Sequence, residues 1–263
     1  MNPISLDTLC AALCYAAGIE APANAAAANP ALCAYLDEKD AAGKCDRIFM
    51  YNPDAVAHWI SDKYPDFIAE VKARAPFALP LQCVMPSVTP VCFGTMYTGV
   101  QPAVHGIRAY QKPVIQIDTL FDAMLRAGKK CAIVCTDGDS MSRIYNEREM
   151  DYFYYPTLDE VNAKAAQLII EDNYDLICVY NGDYDGTMHR FGTEHPLSLG
   201  ALRSNAHTFA MFASLIAQRW TDHKTLIGFA MDHGCHDIDG GCGSHGLDME
   251  EDLDIQHFYG ILG

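Results

Sequence analysis

Residues 158–180, LDEVNAKAAQLIIEDNYDLICVY, carry the pattern that decides the fold. Residues 158–171 predict a helix, and residues 176–180 predict a strand that is rich in Ile, Val and Cys. A strand of this kind, joined to its neighbours by helices of ten or more residues, is typical of right-handed βαβ units. The stretch therefore indicates a mostly parallel sheet with helices on both faces.

The same alternation of strands and helices continues on both sides of this stretch. The predicted strands are 47–51, 131–135 and 225–230, with 151–155 as a short edge strand and 258–262 as a final apolar stretch. The predicted helices are 55–73, one that begins near residue 90, 119–127 and 199–220. Residues 1–45 are Ala-rich and helical in period, so we expect a helical extension packed on the sheet. The predicted fold is a single α/β domain, 1–263, with a mostly parallel central sheet covered by helices on both faces.

The charge of the chain bears on its partners. The formal net charge is −16, and no run of Lys or Arg could follow a nucleic-acid backbone. We therefore expect no nucleic-acid polymer as partner. A small phosphate ester would also be repelled by this surface unless the site carried its own positive charge, and bound divalent cations would supply it.

The cysteines and the apolar runs bear on location. The chain has 11 cysteines, an odd number, and its N-terminus lacks a charged region followed by an apolar signal core. We therefore expect a reducing, cytoplasmic setting with buried free thiols. No apolar run reaches the roughly 18 to 20 residues that span a bilayer, so we expect no membrane association. The sequence does not predict the oligomeric state.

Unusual polar density occurs at four places, each where a predicted strand ends. They are Asp54, the segment 86–107, the segment 183–189 and the segment 231–246. Ligand sites in parallel sheets lie beyond the carboxyl ends of the strands, so these places should converge. Imidazole nitrogens and carboxylate oxygens together suit zinc or manganese. The candidate ligands for two metal ions are Asp54, Asp185, His189, Asp232, His233 and His245.

The second of these places carries a specific motif. It contains Thr89 in a Pro-x-x-Thr segment, then Gly99 in a Thr-Gly pair, then Pro-Ala-Val-His-Gly-Ile at 102–107. This order resembles the alkaline phosphatase superfamily, particularly its nucleotide pyrophosphatase/phosphodiesterase-like branch, the type I phosphodiesterases. In that branch the Thr or Ser of the first segment is the nucleophile.

The later segments extend the resemblance to roughly residue 46 onward. Asp185 and His189 match the ends of the family's Asp-x-x-Gly-His segment, although Met188 stands where Gly is usual. Residues 232–234 match its Asp-His-Gly segment, and His245 matches its later His.

The resemblance implies an alkaline phosphatase-like fold and a set of roles. Thr89 would be the nucleophile, and a phosphothreonine would form as the intermediate. One metal would be held by Asp185, His189 and His245, and the other by Asp54, Asp232, His233 and the Thr89 oxygen. Zinc is the expected metal, with manganese as the second choice. The implied activity is metal-dependent hydrolysis of small phosphate esters, with phosphodiester or pyrophosphate-type bonds favoured over simple monoesters.

Some departures from the family pattern leave alternatives open. Ala55 follows Asp54 where the family commonly has Gly, so Asp54 could instead cap a helix. Cys92 stands where nucleotide-cleaving members have a phosphate-binding Asn. A phosphomutase, or a phosphonate or sulfate ester hydrolase of the same superfamily, would use nearly the same residues. A non-catalytic metal-binding member is the remaining class, and the presence of Thr89 argues against it.

Overall fold

The computed structural model of the protein describes residues 4–263, and its centre is a seven-stranded sheet. The strands of this sheet are β1 Arg47–Pro53, β2 Phe77–Gln82, β3 Cys131–Thr136, β4 Asp151–Tyr155, β5 Leu176–Asn181, β6 Thr225–Phe229 and β9 Asp254–Leu262. Their order across the sheet is β2-β9-β6-β1-β5-β3-β4. Two further strands, β7 His236–Ile238 and β8 Cys242–Ser244, form a small antiparallel pair. The five strands from β6 to β4 in this order pair in parallel, whereas β9 is antiparallel to both of its neighbours.

Helices cover the sheet. The longer ones are α1 Leu9–Ala17, α2 Pro30–Glu38, α5 Thr89–Thr98, α7 Leu120–Arg126, α9 Leu158–Glu171, α10 Asp183–Phe191 and α11 Pro196–Arg219. The short ones are α3 His58–Lys63, α4 Ala69–Arg74, α6 Pro102–His105, α8 Met141–Ile144 and α12 Glu250–Leu253. In the described part of the chain, none of the helices is long and apolar enough to cross a membrane.

The central strands are apolar because both of their faces are covered. All six residues of β5 and all but the first residue of β1 are buried. A strand buried on both faces has no polar alternation, which is why β1 and β5 read as continuous apolar runs in the sequence. The predicted class, an α/β fold with a mostly parallel central sheet and helices on both faces, is confirmed.

Several predicted boundaries are wrong. Residues 55–73 do not form one helix, because Pro65 interrupts the pattern and begins a 3-10 turn, Pro65–Ile68, between α3 and α4. The strand β2, the helix α10 and the β7–β8 pair were not predicted. The final apolar stretch 258–262 is the second half of the longer β9.

The N-terminal region is helical in part. In the predicted extension, α1 and α2 are separated by irregular chain at 18–29, and residues 1–3 lie outside the described residues. Helix α1 packs against α5 and α7, so this region contributes to the core.

The order of the central strands determines where the polar segments that follow them lie. The strands β6, β1 and β5 are neighbours and run in parallel, so their carboxyl ends meet at one edge of the sheet. The residues that follow these three strands therefore lie side by side, as expected for the ligand sites of open parallel sheets.

Candidate metal centre

Two sets of three ligand atoms lie at the carboxyl edge of the sheet. In each set the three atoms lie within 4.8 Å of one another. We call them the inner set, which is fully buried, and the outer set, which is partly exposed. The inner set is Asp54, Asp232 and His233, and the outer set is Asp185, His189 and His245.

The inner set comes from the ends of β1 and β6. Asp54 directly follows β1, and Asp232 and His233 come shortly after β6. His233 Nε2 lies 3.4 Å from Asp54 Oδ1 and 3.3 Å from Asp232 Oδ2. Asp54 does not cap a helix, since α3 begins at His58 with Ala57 in the cap position. The alternative interpretation of Asp54 as a helix cap is therefore wrong.

The outer set comes from α10 and the end of β8. Asp185 and His189 are one turn apart on α10, and His245 directly follows β8. Asp185 Oδ1 lies 3.2 Å from His189 Nε2 and 3.3 Å from His245 Nε2. The rings of His245 and His233 have centroids 4.0 Å apart, so the two sets adjoin.

Backbone carbonyls hold the three imidazole rings. The Nδ1 atoms of His189, His245 and His233 lie 3.0, 2.9 and 2.9 Å from the carbonyl oxygens of Gly243, Ser87 and Gly234. A carbonyl oxygen can only accept, so Nδ1 carries the proton in each ring and Nε2 presents a lone pair to the site. This is the arrangement in which metal-bound histidines are held in proteins.

Three buried carboxylate oxygens fit a cation. Asp54 Oδ1, Asp232 Oδ2 and Asp185 Oδ1 have no hydrogen-bond partner among the described residues. Leaving a buried charged acceptor without a partner is costly, and such atoms are rare in folded proteins. All three are ligand-candidate oxygens that face imidazole lone pairs, so a divalent cation in each set would satisfy them.

The electrostatics of the inner set lead to the same conclusion. Burial, with the charge of Asp185, raises the pKa of Asp54 to about 7. Burial also raises the pKa of Asp232 well above its usual range, and the charge of Asp54 adds to the effect. Burial lowers the pKa of His233 to about 3. Within the inner set, therefore, no side chain supplies a positive charge to the two carboxyl groups.

The outer set takes up protons more readily. The Asp185 carboxylate, to which the protonated ring can donate a hydrogen bond from Nε2, raises the pKa of His189 above its ordinary value. Burial acts to lower the pKa of His245, but the Asp185 carboxylate outweighs it and raises that pKa. A proton and a metal ion would therefore compete for these imidazoles.

Thr89 lies against the inner set. It is the first residue of α5, is 3% exposed, and is followed by Pro90 in the first helical turn. Its Oγ1 lies 3.3 Å from Asp54 Oδ2 and 3.4 Å from His233 Nε2. The structure thus brings together the candidate nucleophile and all six candidate ligands.

Other residues near the site have structural roles. His105 accepts a hydrogen bond from the Ile107 N–H at Nδ1, and its Nε2 lies 3.0 Å from Thr95 Oγ1 on α5. A side chain at Gly94 would clash with this ring, since a Cβ there would lie 2.8 Å from His105 Cε1. Cys92 Sγ contacts the carbonyl oxygen of Val84, so the thiol does not take the place of a phosphate-binding Asn.

Tyr180 is a site residue that the sequence did not reveal. Its hydroxyl donates a hydrogen bond to Asp54 Oδ2. In the sequence it reads as one more apolar residue of a buried strand. Its position near the end of β5, next to β1, is the signal that would have indicated it.

Comparisons with known proteins agree with this geometry. A family model described as type I phosphodiesterase/nucleotide pyrophosphatase matches residues 53–259, whereas no curated protein sequence matches the chain. Similar solved structures include two of murine ectonucleotide pyrophosphatase/phosphodiesterase 5, one of them an inactive variant in complex with AMP. The AMP complex has a TM-score of 0.60 and 15% identity, and the other has 0.59 and 16%; each comparison covers 74% of this chain and 58% of the murine chain.

The structural likeness, at this identity, shows the fold, and the chain spans less than two thirds of the murine protein. The family model covers well over half of the chain and includes all six candidate ligands and Thr89. By this match the chain belongs to the type I phosphodiesterase/nucleotide pyrophosphatase family.

Proposed function

We propose that the chain is a two-metal hydrolase of phosphodiester or pyrophosphate-type bonds in small phosphate esters, with Thr89 as nucleophile. The observation that carries this proposal is the contact of Thr89 Oγ1 with Asp54 Oδ2 and His233 Nε2, at 3.3 and 3.4 Å, beside two adjoining ligand sets. Membership of the family supports the reaction class.

Six side chains would hold the metal ions. The inner set would hold one ion together with the Thr89 oxygen, and the outer set would hold the other. Three imidazole nitrogens with three carboxylates suit zinc, and manganese would also be accepted. Bound divalent cations would supply the positive charge that a phosphate needs and would make the threonine hydroxyl easier to deprotonate.

Thr89 and Asp54 would carry out the covalent steps of the reaction. Thr89 Oγ1 would form a bond to phosphorus while the bond from phosphorus to the leaving oxygen breaks, which gives a phosphothreonine. Asp54 Oδ2 accepts the hydrogen bond of the Thr89 hydroxyl, so Asp54 is placed to take the proton that this hydroxyl loses. Water would then attack phosphorus while the bond to Oγ1 breaks; a proton lost by the water would restore the threonine hydroxyl, and the phosphate product would be released.

A nucleotide-type ester is the substrate class that we propose. The murine structural neighbour has been solved with AMP. A phosphate that carries one organic substituent, as in AMP, is what cleavage of a phosphodiester or pyrophosphate-type bond releases.

The test combines metal analysis with a panel of esters. The panel holds a phosphodiester, a dinucleotide pyrophosphate, a phosphomonoester and a sulfate ester, each with zinc or manganese. We expect turnover of the diester or the pyrophosphate by the wild type. Thr89→Ala should lose that turnover and keep its metal, because six ligands remain.

Thr98→Ala is the matched control. It removes another buried threonine hydroxyl from α5, one that donates to the Gly94 carbonyl of the same helix. Unchanged turnover in Thr89→Ala would remove this residue from the mechanism. Turnover confined to the sulfate ester, or isomer formation without hydrolysis, would contradict the proposed reaction.

A further inference from the structure

Tyr180 occupies a fixed position in β5, beside the strand β1 that Asp54 directly follows. It is the penultimate residue of β5 and pairs in register with Asn52 of β1, two residues before Asp54. Its side chain is 4% exposed, and its ring packs edge-on against Phe93 of α5, with centroids 5.6 Å apart. The ring is therefore held by the core, and its hydroxyl points to the metal centre.

The space around the hydroxyl depends on Gly182. A Cβ at residue 182 would lie 3.0 Å from the Tyr180 hydroxyl oxygen, which is closer than nine in ten contacts of this kind. Because glycine stands there, the hydroxyl reaches Asp54 Oδ2 without displacement.

The two oxygens of Asp54 have different surroundings. Oδ2 accepts from the Tyr180 and Thr89 hydroxyls, whereas Oδ1 is buried without a hydrogen-bond partner and faces His233 Nε2 at 3.4 Å. A carboxylate fixed through one oxygen presents the other in a defined direction. A neutral hydroxyl does this without cancelling the negative charge that a cation needs.

Tyr180 also lowers the cost of breaking the hydrogen bond between Thr89 and Asp54. If Thr89 were the sole donor to Asp54 Oδ2, its departure toward a substrate would leave that buried oxygen without a partner, which is unfavourable. Because Tyr180 remains bonded to Oδ2, the Thr89 hydroxyl can give up its hydrogen bond at little cost.

We infer that Tyr180 is a positioning residue of the metal centre, whose hydroxyl orients the Asp54 carboxylate toward the inner-set ion and frees Thr89 from holding it. This inference rests on the proposed function, since it assumes an ion in the inner set. Loss of a hydrogen bond of this kind typically weakens metal binding by about 10–100-fold.

The test is a zinc titration of the full chain after removal of bound metal with a chelator. We expect the wild type to bind two zinc ions. Tyr180→Phe should weaken one of the two binding events by about 10–100-fold and leave the other unchanged. The matched control is Tyr145→Phe, which removes a buried hydroxyl that donates to the Phe93 carbonyl, and it should bind both ions as the wild type does.

Two further variants make the test specific. If Tyr180 acts through Asp54, adding Tyr180→Phe to Asp54→Asn should weaken zinc binding no further. Gly182→Ala keeps the hydroxyl but crowds it, so it should weaken the same binding event by a smaller factor, and it serves if the Phe variant does not fold.

The outcomes separate the two proposals. Equal zinc affinities in the wild type and in Tyr180→Phe would overturn the role of Tyr180 but not the proposed function. The same holds if Tyr180→Phe weakens zinc binding as much in the Asp54→Asn background as it does in the wild type. A wild type that binds fewer than two zinc ions would overturn the proposed two-metal function, and this inference with it.

Discussion

His189 Nε2 and His245 Nε2 lie 3.1 Å apart, although each ring directs its Nδ1 to a backbone carbonyl. Two imidazole lone pairs at this distance repel each other unless a positive charge lies beside them. The Asp185 carboxylate contacts both rings and completes the group. The folded chain thus places these side chains where a cation would relieve the repulsion, and the proposed metal ions should stabilise it.

Removal of metal should lower the stability of the protein. An ion that binds the folded state stabilises it by about 2.7 kcal/mol at one hundred times its dissociation constant. We therefore expect a chelator to lower the melting temperature, and zinc to restore it in a concentration-dependent manner. Differential scanning calorimetry measures both effects, and identical melting temperatures with zinc and with chelator would contradict the metal centre.

Zinc binding to the outer set should weaken as the pH falls. The pKa values of His189 and His245 are raised above the ordinary value for histidine, so both rings begin to take up protons above pH 6.5. A protonated ring cannot bind metal, and the affinity should fall by about tenfold per pH unit for each proton released on binding. Calorimetric titrations between pH 8 and pH 6 test this, and a flat affinity across that range would contradict it.

Asp232→Asn should stabilise the metal-free protein while it abolishes zinc binding to the inner set. Asp232 and Asp54 are buried side by side, and burial raises the pKa of both carboxyl groups. A raised pKa means that stability is lost as the pH rises through it, so the ionised pair is unfavourable at pH 8. The amide oxygen can still accept the Ala55 N–H bond that Asp232 Oδ1 accepts at 3.2 Å.

The expected gain at pH 8 is about 1 kcal/mol or more, a rise of about 2–4 °C in melting temperature. Asp137→Asn is the control, because Asp137 is exposed and paired with Arg143. It should change neither the free energy of unfolding nor the melting temperature. A lower melting temperature for metal-free Asp232→Asn would contradict the prediction.

Two glycines near the ligands should respond oppositely to alanine. At Gly234 a Cβ would lie 2.0 Å from the Glu251 carbonyl oxygen, so Gly234→Ala must displace backbone beside His233 and should cost at least about 1–3 kcal/mol. At Gly186, inside α10, a Cβ would meet nothing within 4 Å, and Gly186→Ala should gain up to about 1 kcal/mol. Urea unfolding of both variants tests this, and equal effects would contradict the packing argument.

The elements that could be predicted from the sequence are those whose apolar residues pack into the core and so produce a regular hydrophobic pattern. Helix α9 and strand β4 have the predicted bounds, and β3 extends the predicted strand by one residue. The edge strand β2 was missed because Pro80 is unusual in a strand; it is tolerated at the edge of the sheet, where one side of the strand has no ladder partner. Half of β9 was missed because Gln256 and His257 are polar, although His257 is buried.

The convergence of the candidate ligands could be predicted from their motifs, whereas the groups that surround them could not. Residue types and spacing indicated a shared metal centre, and the strand order brings its candidate ligands together. The hydrogen bond from Tyr180 to Asp54 depends on the register of β5 against β1, which no local pattern encodes. The carbonyls that hold the imidazoles likewise come from loop geometry.

The six candidate ligands come from four separated segments, from Asp54 after β1 to His245 after β8. No short peptide cut from the chain contains either complete set, so a short proteolytic fragment should not bind the proposed zinc ions. The ratio of bound zinc to protein would then count the molecules with a native arrangement in a preparation. The same ratio, followed during refolding, would show when the segments at the carboxyl edge of the sheet have come together.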